Sequence, residues 1–333
     1  MRSFRIGPLR FVYLQICLCF FSLYLTTLSE VLDRPQLLDS SRNRIVPIKI
    51  HLPDGPQEQL PLVLISHGAG GSRDGHYALA AQLSGSGYVV FCMEHVGSNT
   101  DMLKAQRRET GDGFLSLLRQ MGHDLVERKN RPLDVRFALD KAKEWNRNDP
   151  KLQGRIDLTS VALVGHSYGA YTTLVCCGAT PTKVKGQAIP KSEIALGIAL
   201  SPQTSNGTFF ASHGFWTVDR PMVFVTGNKD HTRIGGPATD RKKSFDHLLP
   251  GDKHLIWYED ANHFSFSDST GSGRRRFKRL QAKPEMTESL NSILPAILDH
   301  YLRAGKALDK NTRERLIRAS LRGSVKKIDW LVK

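Results

Sequence analysis

The strongest chemical signal in the sequence is the pentapeptide Gly-His-Ser-Tyr-Gly at residues 165–169. An apolar run at residues 161–164 precedes it, and a helical pattern at residues 168–177 follows it. A G-x-S-x-G sequence between a strand and a helix forms a sharp turn that raises the serine hydroxyl above the sheet. The flanking glycines avoid the collisions that Cβ atoms would make there. This context predicts that Ser167 is a nucleophile.

A serine hydroxyl attacks a substrate only when a base removes its proton. His263 suits that role because it follows the predicted strand at residues 255–258. An imidazole with a pKa near ~6.5 can accept the proton and later donate it to the leaving group. Structural roles are predicted for six other histidines: His67, His76, His95, His123, His166 and His247.

A third residue should orient the histidine and stabilise its charged form. Asp230 closely follows the predicted strand at residues 222–226. With Ser167 and His263 it gives the order serine, acid, histidine that α/β-hydrolases use. Asp240 and Asp219 remain alternatives for the acid.

The negative oxygen formed during acyl transfer needs hydrogen-bond donors. The backbone N–H of Tyr168, next to the nucleophile, is one predicted donor. Ala69 is the other, in the glycine-rich stretch at residues 67–71 that follows an apolar run. The sequence contains no phosphate-binding loop and no paired metal ligands. We therefore expect neither a cofactor nor a metal.

The elements that must position these residues alternate along the chain. Strands are predicted at residues 45–52, 62–66, 88–93, 161–164, 194–200, 222–226 and 255–258. Helices are predicted at residues 76–83, 133–145, 168–177 and 290–301, the last with a kink at Pro295. Residues 101–131 are polar and poorly periodic, which indicates a long loop or partial lid. Continuous apolar strands alternating with helices predict an α/β fold, with a mostly parallel central sheet and helices on both faces.

The N-terminus differs in character from the rest. Three arginines within residues 1–10 precede an uncharged apolar run at residues 11–28. This layout is typical of a cleaved signal peptide at residues 1–29, or of an uncleaved membrane anchor at residues 11–28. A buried helix is the third reading. Residues 30–333 are then one catalytic domain, and basic residues ahead of the apolar run favour export of that domain.

The formal net charge is +15, with basic clusters at residues 274–279 and 303–333. No nucleic-acid-binding motif accompanies them, so no nucleic-acid partner is expected. Solvated surface charge accounts for most such clusters, and loose attraction to an anionic membrane or cell-wall polymer is the sharper hypothesis. The three cysteines after the apolar run are predicted to be buried thiols: Cys92, Cys176 and Cys177.

These motifs together resemble the branch of the α/β-hydrolases that includes dienelactone hydrolases and platelet-activating-factor acetylhydrolases. The matching stretches lie at residues 42–48, 66–74, 85–90, 94–99, 131–135, 165–172 and 262–264. Cutinase-type polyester hydrolases are similar in their Gly-His-Ser sequence and late acid. The resemblance implies hydrolysis of a small-molecule or lipid-like carboxylic ester through an acyl-serine, without a cofactor.

Two positions depart from this branch. The acetylhydrolases place their acid after the strand equivalent to residues 194–200, where this sequence has Ser201 and Pro202. Dienelactone hydrolases use a cysteine nucleophile, whereas position 167 is serine.

An exported esterase or lipase is the favoured function; a peptidase or amidase and a silent membrane-associated binding module are the alternatives. Six aromatic residues are candidates for an acyl pocket, at least half of them as ordinary core: Phe209, Phe210, Phe215, Trp216, Phe264 and Phe266.

Overall fold

The computed structural model describes residues 30–231, 236–267 and 284–333. The predicted signal or anchor at residues 1–29 and the basic segment at residues 274–279 lie outside these ranges, so the division after residue 29 stays a prediction. The described strands are β1 (Glu30–Arg34), β2 (Leu38–Asp39), β3 (Arg44–Ile45), β4 (Ile48–Leu52), β5 (Leu60–Ser66), β6 (Val89–Met93), β7 (Ile156–His166), β8 (Leu196–Leu200), β9 (Met222–Lys229), β10 (Lys253–Asn262) and β11 (Ile328–Val332).

Nine of these strands form one sheet in the order β1-β4-β6-β5-β7-β8-β9-β10-β11. The six strands from β6 to β10 in this order are mutually parallel. Antiparallel strands flank them, β4 and β1 at one side and β11 at the other. The parallel strands all end at the same edge, so the loops that follow β5, β7, β9 and β10 meet there.

Eight α-helices lie in the described residues: α1 (Tyr77–Gly85), α2 (Thr100–Thr110), α3 (Phe114–His123), α4 (Leu125–Asn148), α5 (Tyr168–Cys176), α6 (Thr239–Asp246), α7 (Pro284–Leu298) and α8 (Lys310–Ser320). Helices α4 and α5 pack on one face of the sheet, and α1 and α7 pack on the other. Both faces are therefore buried, which explains why the strands are continuously apolar rather than alternating. The predicted fold class, an α/β-hydrolase-type sheet covered on both faces, is confirmed.

The prediction of a long loop at residues 101–131 is wrong. Helices α2 and α3 and the first seven residues of α4 occupy it. Helix α4 begins at Leu125, capped by Asp124, and runs through Pro132. A proline inside a helix leaves the carbonyl four residues earlier without its N–H donor. Here the Tyr171 hydroxyl donates to that carbonyl, Arg128 O, at 3.2 Å.

A second internal proline, Pro295, lies in α7, and a π-helical turn follows that helix. The carbonyl it frees, Asn291 O, accepts a hydrogen bond of 2.6 Å from Gln82 Nε2. In both cases the two partners come from distant parts of the chain, so the positions of the prolines alone do not reveal these hydrogen bonds. Among the described residues, none of the helices combines the length and the apolar character needed to span a bilayer.

Candidate active site

Ser167 lies in the turn between β7 and α5, with φ 55° and ψ −114°. This backbone conformation is rare for a residue with a side chain and is strained. The Ser167 N–H donates to Leu200 O at the end of β8, at 2.9 Å. The neighbouring strand thus holds the serine in the conformation that G-x-S-x-G predicted.

The two glycines of the pentapeptide are required by close approach. A Cβ atom on Gly165 would lie 2.1 Å from the carbonyl oxygen of Gly169. A Cβ atom on Gly169 would lie 1.9 Å from the carbonyl oxygen of Ser66, at the end of β5. Helix α5 therefore starts in contact with the backbone of β5, which brings the loop after β5 beside Ser167.

Ser167, His263 and Asp230 are brought together in one hydrogen-bonded chain. The Ser167 Oγ lies 2.8 Å from His263 Nε2, and His263 Nδ1 lies 3.0 Å from Asp230 Oδ1. A carboxylate only accepts, so the proton of a neutral His263 belongs on Nδ1, and Nε2 is free to accept from the serine. Their catalytic roles remain predictions.

Asp230 is completely buried after β9. Burial alone would raise the pKa of Asp230, but the Arg241 guanidinium and the bond to His263 outweigh it and hold the pKa well below its usual range. Thr226 Oγ1 also donates to its second oxygen at 2.8 Å. The alternative acids lie elsewhere: Asp240 pairs with Lys243 and Asp219 with Arg220.

Arg241, on α6, was not a predicted site residue. Its Nε lies 3.0 Å from Asp230 Oδ1, and its Nη2 lies 3.2 Å from His263 Nδ1. Other donors of the same guanidinium bond the backbone carbonyls of Ser201 and Pro202. It therefore connects the loop after β8 to the predicted acid. An isolated arginine between Asp240 and Lys242 carries no sequence signal for this position.

His166 contacts the ring of His263 and also bonds its backbone. It is buried, and its Nε2 donates to the backbone carbonyl of His263 at 2.8 Å. Burial, and then the neighbouring His263, hold the pKa of His166 well below its usual value. His166 is therefore neutral at neutral pH, and a neutral imidazole can still donate from Nε2 to this carbonyl. Of the other histidines predicted as structural, His67, His76 and His123 contribute to the wall of the cleft described below.

Ala69 and Tyr168, which carry the two predicted oxyanion donors, line the same cleft, which is described below. Ala69 belongs to the loop after β5, in which Gly70 N–H donates to Ser98 O and Gly71 N–H donates to Gly68 O. No acceptor for the Ala69 N–H is present in the part of the chain that the structure describes. Tyr168 N–H opens α5 and so has no partner four residues back in that helix. Both amides are thus available to a ligand.

A cleft of about 370 Å³ opens above Ser167. Its apolar lining residues include Phe114 and Leu118 of α3, with Phe209 and Phe264. Its polar lining residues include four from the loop after β8: Gln203, Thr204, Asn206 and Thr208. Two of the six candidate aromatic residues therefore line the cleft. Phe210, Phe215 and Phe266 are buried in the core, and Trp216 is exposed outside the cleft.

Helix α3 supplies lining residues that sequence reasoning missed, because residues 101–131 were expected to form a loop. Its amphipathic pattern, with Phe114, Leu117, Leu118 and Met121 on one side, is the signal that a search for short helices would have found. Cys92, Cys176 and Cys177 are buried, as predicted. In the described ranges, no three His, Cys, Asp or Glu side chains converge in a way that suits a metal ion.

Residues 23–131 match the family model described as platelet-activating factor acetylhydrolase, isoform II. The platelet-activating factor acetylhydrolase of Cavia porcellus is 23% identical over 305 residues, which cover 80% of this chain and 62% of that protein. Among solved structures, dienelactone hydrolase from Anabaena variabilis is 15% identical with a TM-score of 0.52, covering 83% of this chain and 99% of that one.

These findings confirm the resemblance and the α/β-hydrolase fold. The chain spans about 62% of the length of the curated relative it matches. The family-model match ends at residue 131, before the Gly-His-Ser-Tyr-Gly turn. The arrangement of Ser167, Asp230 and His263 is therefore evidence independent of that match.

Proposed function

We propose that this protein is a serine hydrolase of carboxylic esters that acts through an acyl-serine. The observation that carries the proposal is the continuous chain from Ser167 Oγ to His263 Nε2 at 2.8 Å and from His263 Nδ1 to Asp230 Oδ1 at 3.0 Å. Nucleophile, base and orienting acid lie within direct hydrogen-bond distance at the floor of a cleft.

The chemistry follows from the positions of the protons. His263 Nε2 takes the proton of Ser167 Oγ as that oxygen attacks the ester carbonyl carbon. The carbonyl oxygen becomes negative and accepts hydrogen bonds from the N–H groups of Ala69 and Tyr168. His263 then donates its proton to the departing alcohol, which leaves the acyl group on Ser167. Water, deprotonated by the same imidazole, repeats the sequence and releases the acid.

The mixed lining of the cleft supports an ester with an apolar and a hydrophilic portion. The apolar lining residues suit a short or medium acyl chain, and the polar ones suit a more hydrophilic portion of the substrate. The names of the two similar proteins, an acetylhydrolase and a dienelactone hydrolase, both describe hydrolases. A small-molecule or lipid-like ester is the proposed substrate class, and no cofactor enters the proposed reaction.

The test uses p-nitrophenyl butyrate and the matching anilide, with and without a fluorophosphonate. We expect ester turnover, stoichiometric labelling of Ser167, and loss of nearly all turnover in Ser167→Ala and His263→Ala while both remain folded by circular dichroism. Equal efficiency on the anilide would favour the peptidase alternative. A folded protein with neither turnover nor labelling would reject the proposal in favour of a silent binding module.

The proposal includes location outside the cytoplasm, with residues 1–29 removed as a signal or residues 11–28 kept as an anchor. The arginines ahead of the apolar run support it. The excess of Lys and Arg over Asp and Glu in residues 303–333 supports loose attraction to anionic surfaces. Fractionation with N-terminal sequencing tests the location: an intact chain beginning at Met1 in the soluble cytoplasm would contradict it.

A further inference from the structure

Arg131 of α4 is completely buried beneath the cleft. Its Nε donates to Thr172 Oγ1 at 2.9 Å and its Nη1 to Ser98 Oγ at 2.7 Å. Its Nη2 donates to Ser66 Oγ at 3.2 Å and also to the carbonyl oxygen of His67. All three nitrogens of one guanidinium thus donate hydrogen bonds, and only arginine provides such a planar set of donors.

These contacts join the two segments that carry the proposed oxyanion donors. Ser66 and His67 lead directly into Ala69, while Thr172 lies one turn into the helix that begins at Tyr168. The guanidinium carbon also lies 4.3 Å from the centroid of the Tyr168 ring. Both segments therefore depend on the same side chain for their relative position.

The charge of Arg131 has no counterion in direct contact. Every hydrogen-bond acceptor named above is neutral, and among the described residues no carboxylate lies within ion-pair distance of it. The nearby Asp134 carboxylate instead contacts Arg42 at 2.8 Å and Arg44 at 3.0 Å. Burial lowers the pKa of Arg131 to about 10, which leaves it protonated at neutral pH.

A buried Ser–His–Asp chain holds the acceptors of Arg131 in place. His95 Nδ1 lies 2.9 Å from Asp134 Oδ2, and His95 Nε2 lies 2.9 Å from Ser66 Oγ. Because the carboxylate only accepts, His95 donates from Nδ1 and accepts the Ser66 proton at Nε2. The lone pairs of Ser66 Oγ then face Arg131. All three residues are fully buried, so they reach no substrate.

His95 also connects to the loop through its backbone. Its N–H donates to His67 Nε2 at 3.0 Å, and His67 Nδ1 bonds Gly68 O at 2.6 Å. Burial, and then the charge of Arg131, hold the pKa of His67 well below its usual value. The loop is thus fixed at three consecutive residues, Ser66, His67 and Gly68, just before the proposed donor.

We infer that Arg131 is a positioning residue for the oxyanion hole: its guanidinium sets the distance between the Ala69 and Tyr168 donors and contributes a positive charge, without a carboxylate in direct contact, near the oxygen that becomes negative. Burying such a charge is costly, and the cost is offset here by hydrogen bonds to neutral groups, by the Tyr168 ring and by the more distant carboxylates of Glu127 and Asp134. In the same low-dielectric surroundings, that charge favours a negative transition state over a neutral ester. This inference rests on the proposed function.

The experiment compares Arg131→Met with Arg220→Met in the full chain. Arg220 is the matched control, since it is a buried arginine whose guanidinium bonds the backbone carbonyls of Ile194 and Ile189, and none of these residues lines the cleft. For Arg131→Met we expect kcat on p-nitrophenyl butyrate to fall about 10- to 100-fold, in the range of weakened oxyanion donors, with little change in KM. The Ki of butaneboronic acid, which forms an anionic tetrahedral adduct on serine, should rise in proportion.

Arg220→Met should lose thermal stability similarly but show a much smaller change in kcat and Ki. Arg131→Lys, which keeps the charge without the planar set of donors, should be intermediate. If Arg131→Met does not fold, Thr172→Val removes one acceptor and should lower kcat with KM retained. Unchanged kcat, or a loss confined to KM, in the folded variants overturns the inference. A wild type without ester turnover overturns the proposed function as well, so the two failures are distinct.

Discussion

At the scale of single residues, the unusual feature is the cation beside the predicted acid and base. Arg241 contacts both Asp230 and His263, so a fixed positive charge stands next to the imidazole that must become positive during the reaction. His166, the other titratable group against His263, is neutral. Asp230 is the compensating negative charge, and Arg241 already neutralises part of its field.

Replacing Arg241 should therefore change the pH dependence of activity. In Arg241→Met, His263 is the one cationic partner left to Asp230 among the contacts described above, and a proton on the imidazole is no longer opposed by the guanidinium. We expect the acidic limb of the kcat/KM profile to move to higher pH by about one unit. Arg241→Lys keeps the charge and should leave the limb near its original pH. A limb that does not move, or moves to lower pH, would contradict this account.

At the scale of elements, the decisive contact is between α5 and β5. The first turn of the helix lies against the last carbonyls of the strand, which fixes the nucleophile relative to the loop at residues 67–71. Register helps, because Ser66 pairs with Gly165 and His166 with Leu200 in the parallel sheet. The ends of three neighbouring strands are therefore level where the site forms.

Gly169→Ala should show how tight this contact is. The added methyl group would lie 1.9 Å from Ser66 O, a backbone atom that cannot move aside without shifting β5. We expect a loss of several kcal/mol of unfolding free energy, or no soluble protein, as judged by urea unfolding. Gly113→Ala is the control, since nothing lies within 4 Å of its added methyl group. Equal stability of the two variants would show that α5 has room to move.

At the scale of the whole molecule, several histidines are buried in the neutral state. Burial lowers the pKa of His51 to about 4 and lowers the pKa of four others: His67, His95, His166 and His254. In the unfolded chain each titrates near ~6.5. Below that pH the unfolded state binds protons that the folded state does not, so acidification favours unfolding.

Stability should accordingly fall as the pH drops from about 7 to 5.5, well before the carboxylates titrate. Each such histidine contributes roughly 1 kcal/mol per pH unit once the pH is below its unfolded pKa. Urea unfolding at constant ionic strength measures the effect, with the midpoint expected to move to lower urea. His51→Gln removes one titrating group and should reduce the slope. A midpoint independent of pH over this range would refute the explanation.

The sequence by itself determined the fold class. Its local patterns were sufficient to select Ser167, His263 and Asp230 as the predicted nucleophile, base and acid. Each of these residues directly follows a buried strand, and parallel strands deliver their ends to one edge whatever the details of packing. The G-x-S-x-G turn is likewise a local steric requirement. The structure brings the three side chains into contact, and their chemical roles await the assays above.

Only the tertiary structure decided what surrounds them. Arg241 looks like any other arginine along the sequence, and Arg131 belongs to a stretch that resembles the related hydrolases without any local sign of its role. The contacts of both residues come from strands and loops far away in the chain. Residues 101–131 were expected to form a loop because they are polar and poorly periodic, whereas α4 continues through Pro132 with the Tyr171 hydroxyl supplying the missing donor. Hydrogen bonds between distant segments depend on where the backbone folds back on itself, and no periodicity in the sequence records that.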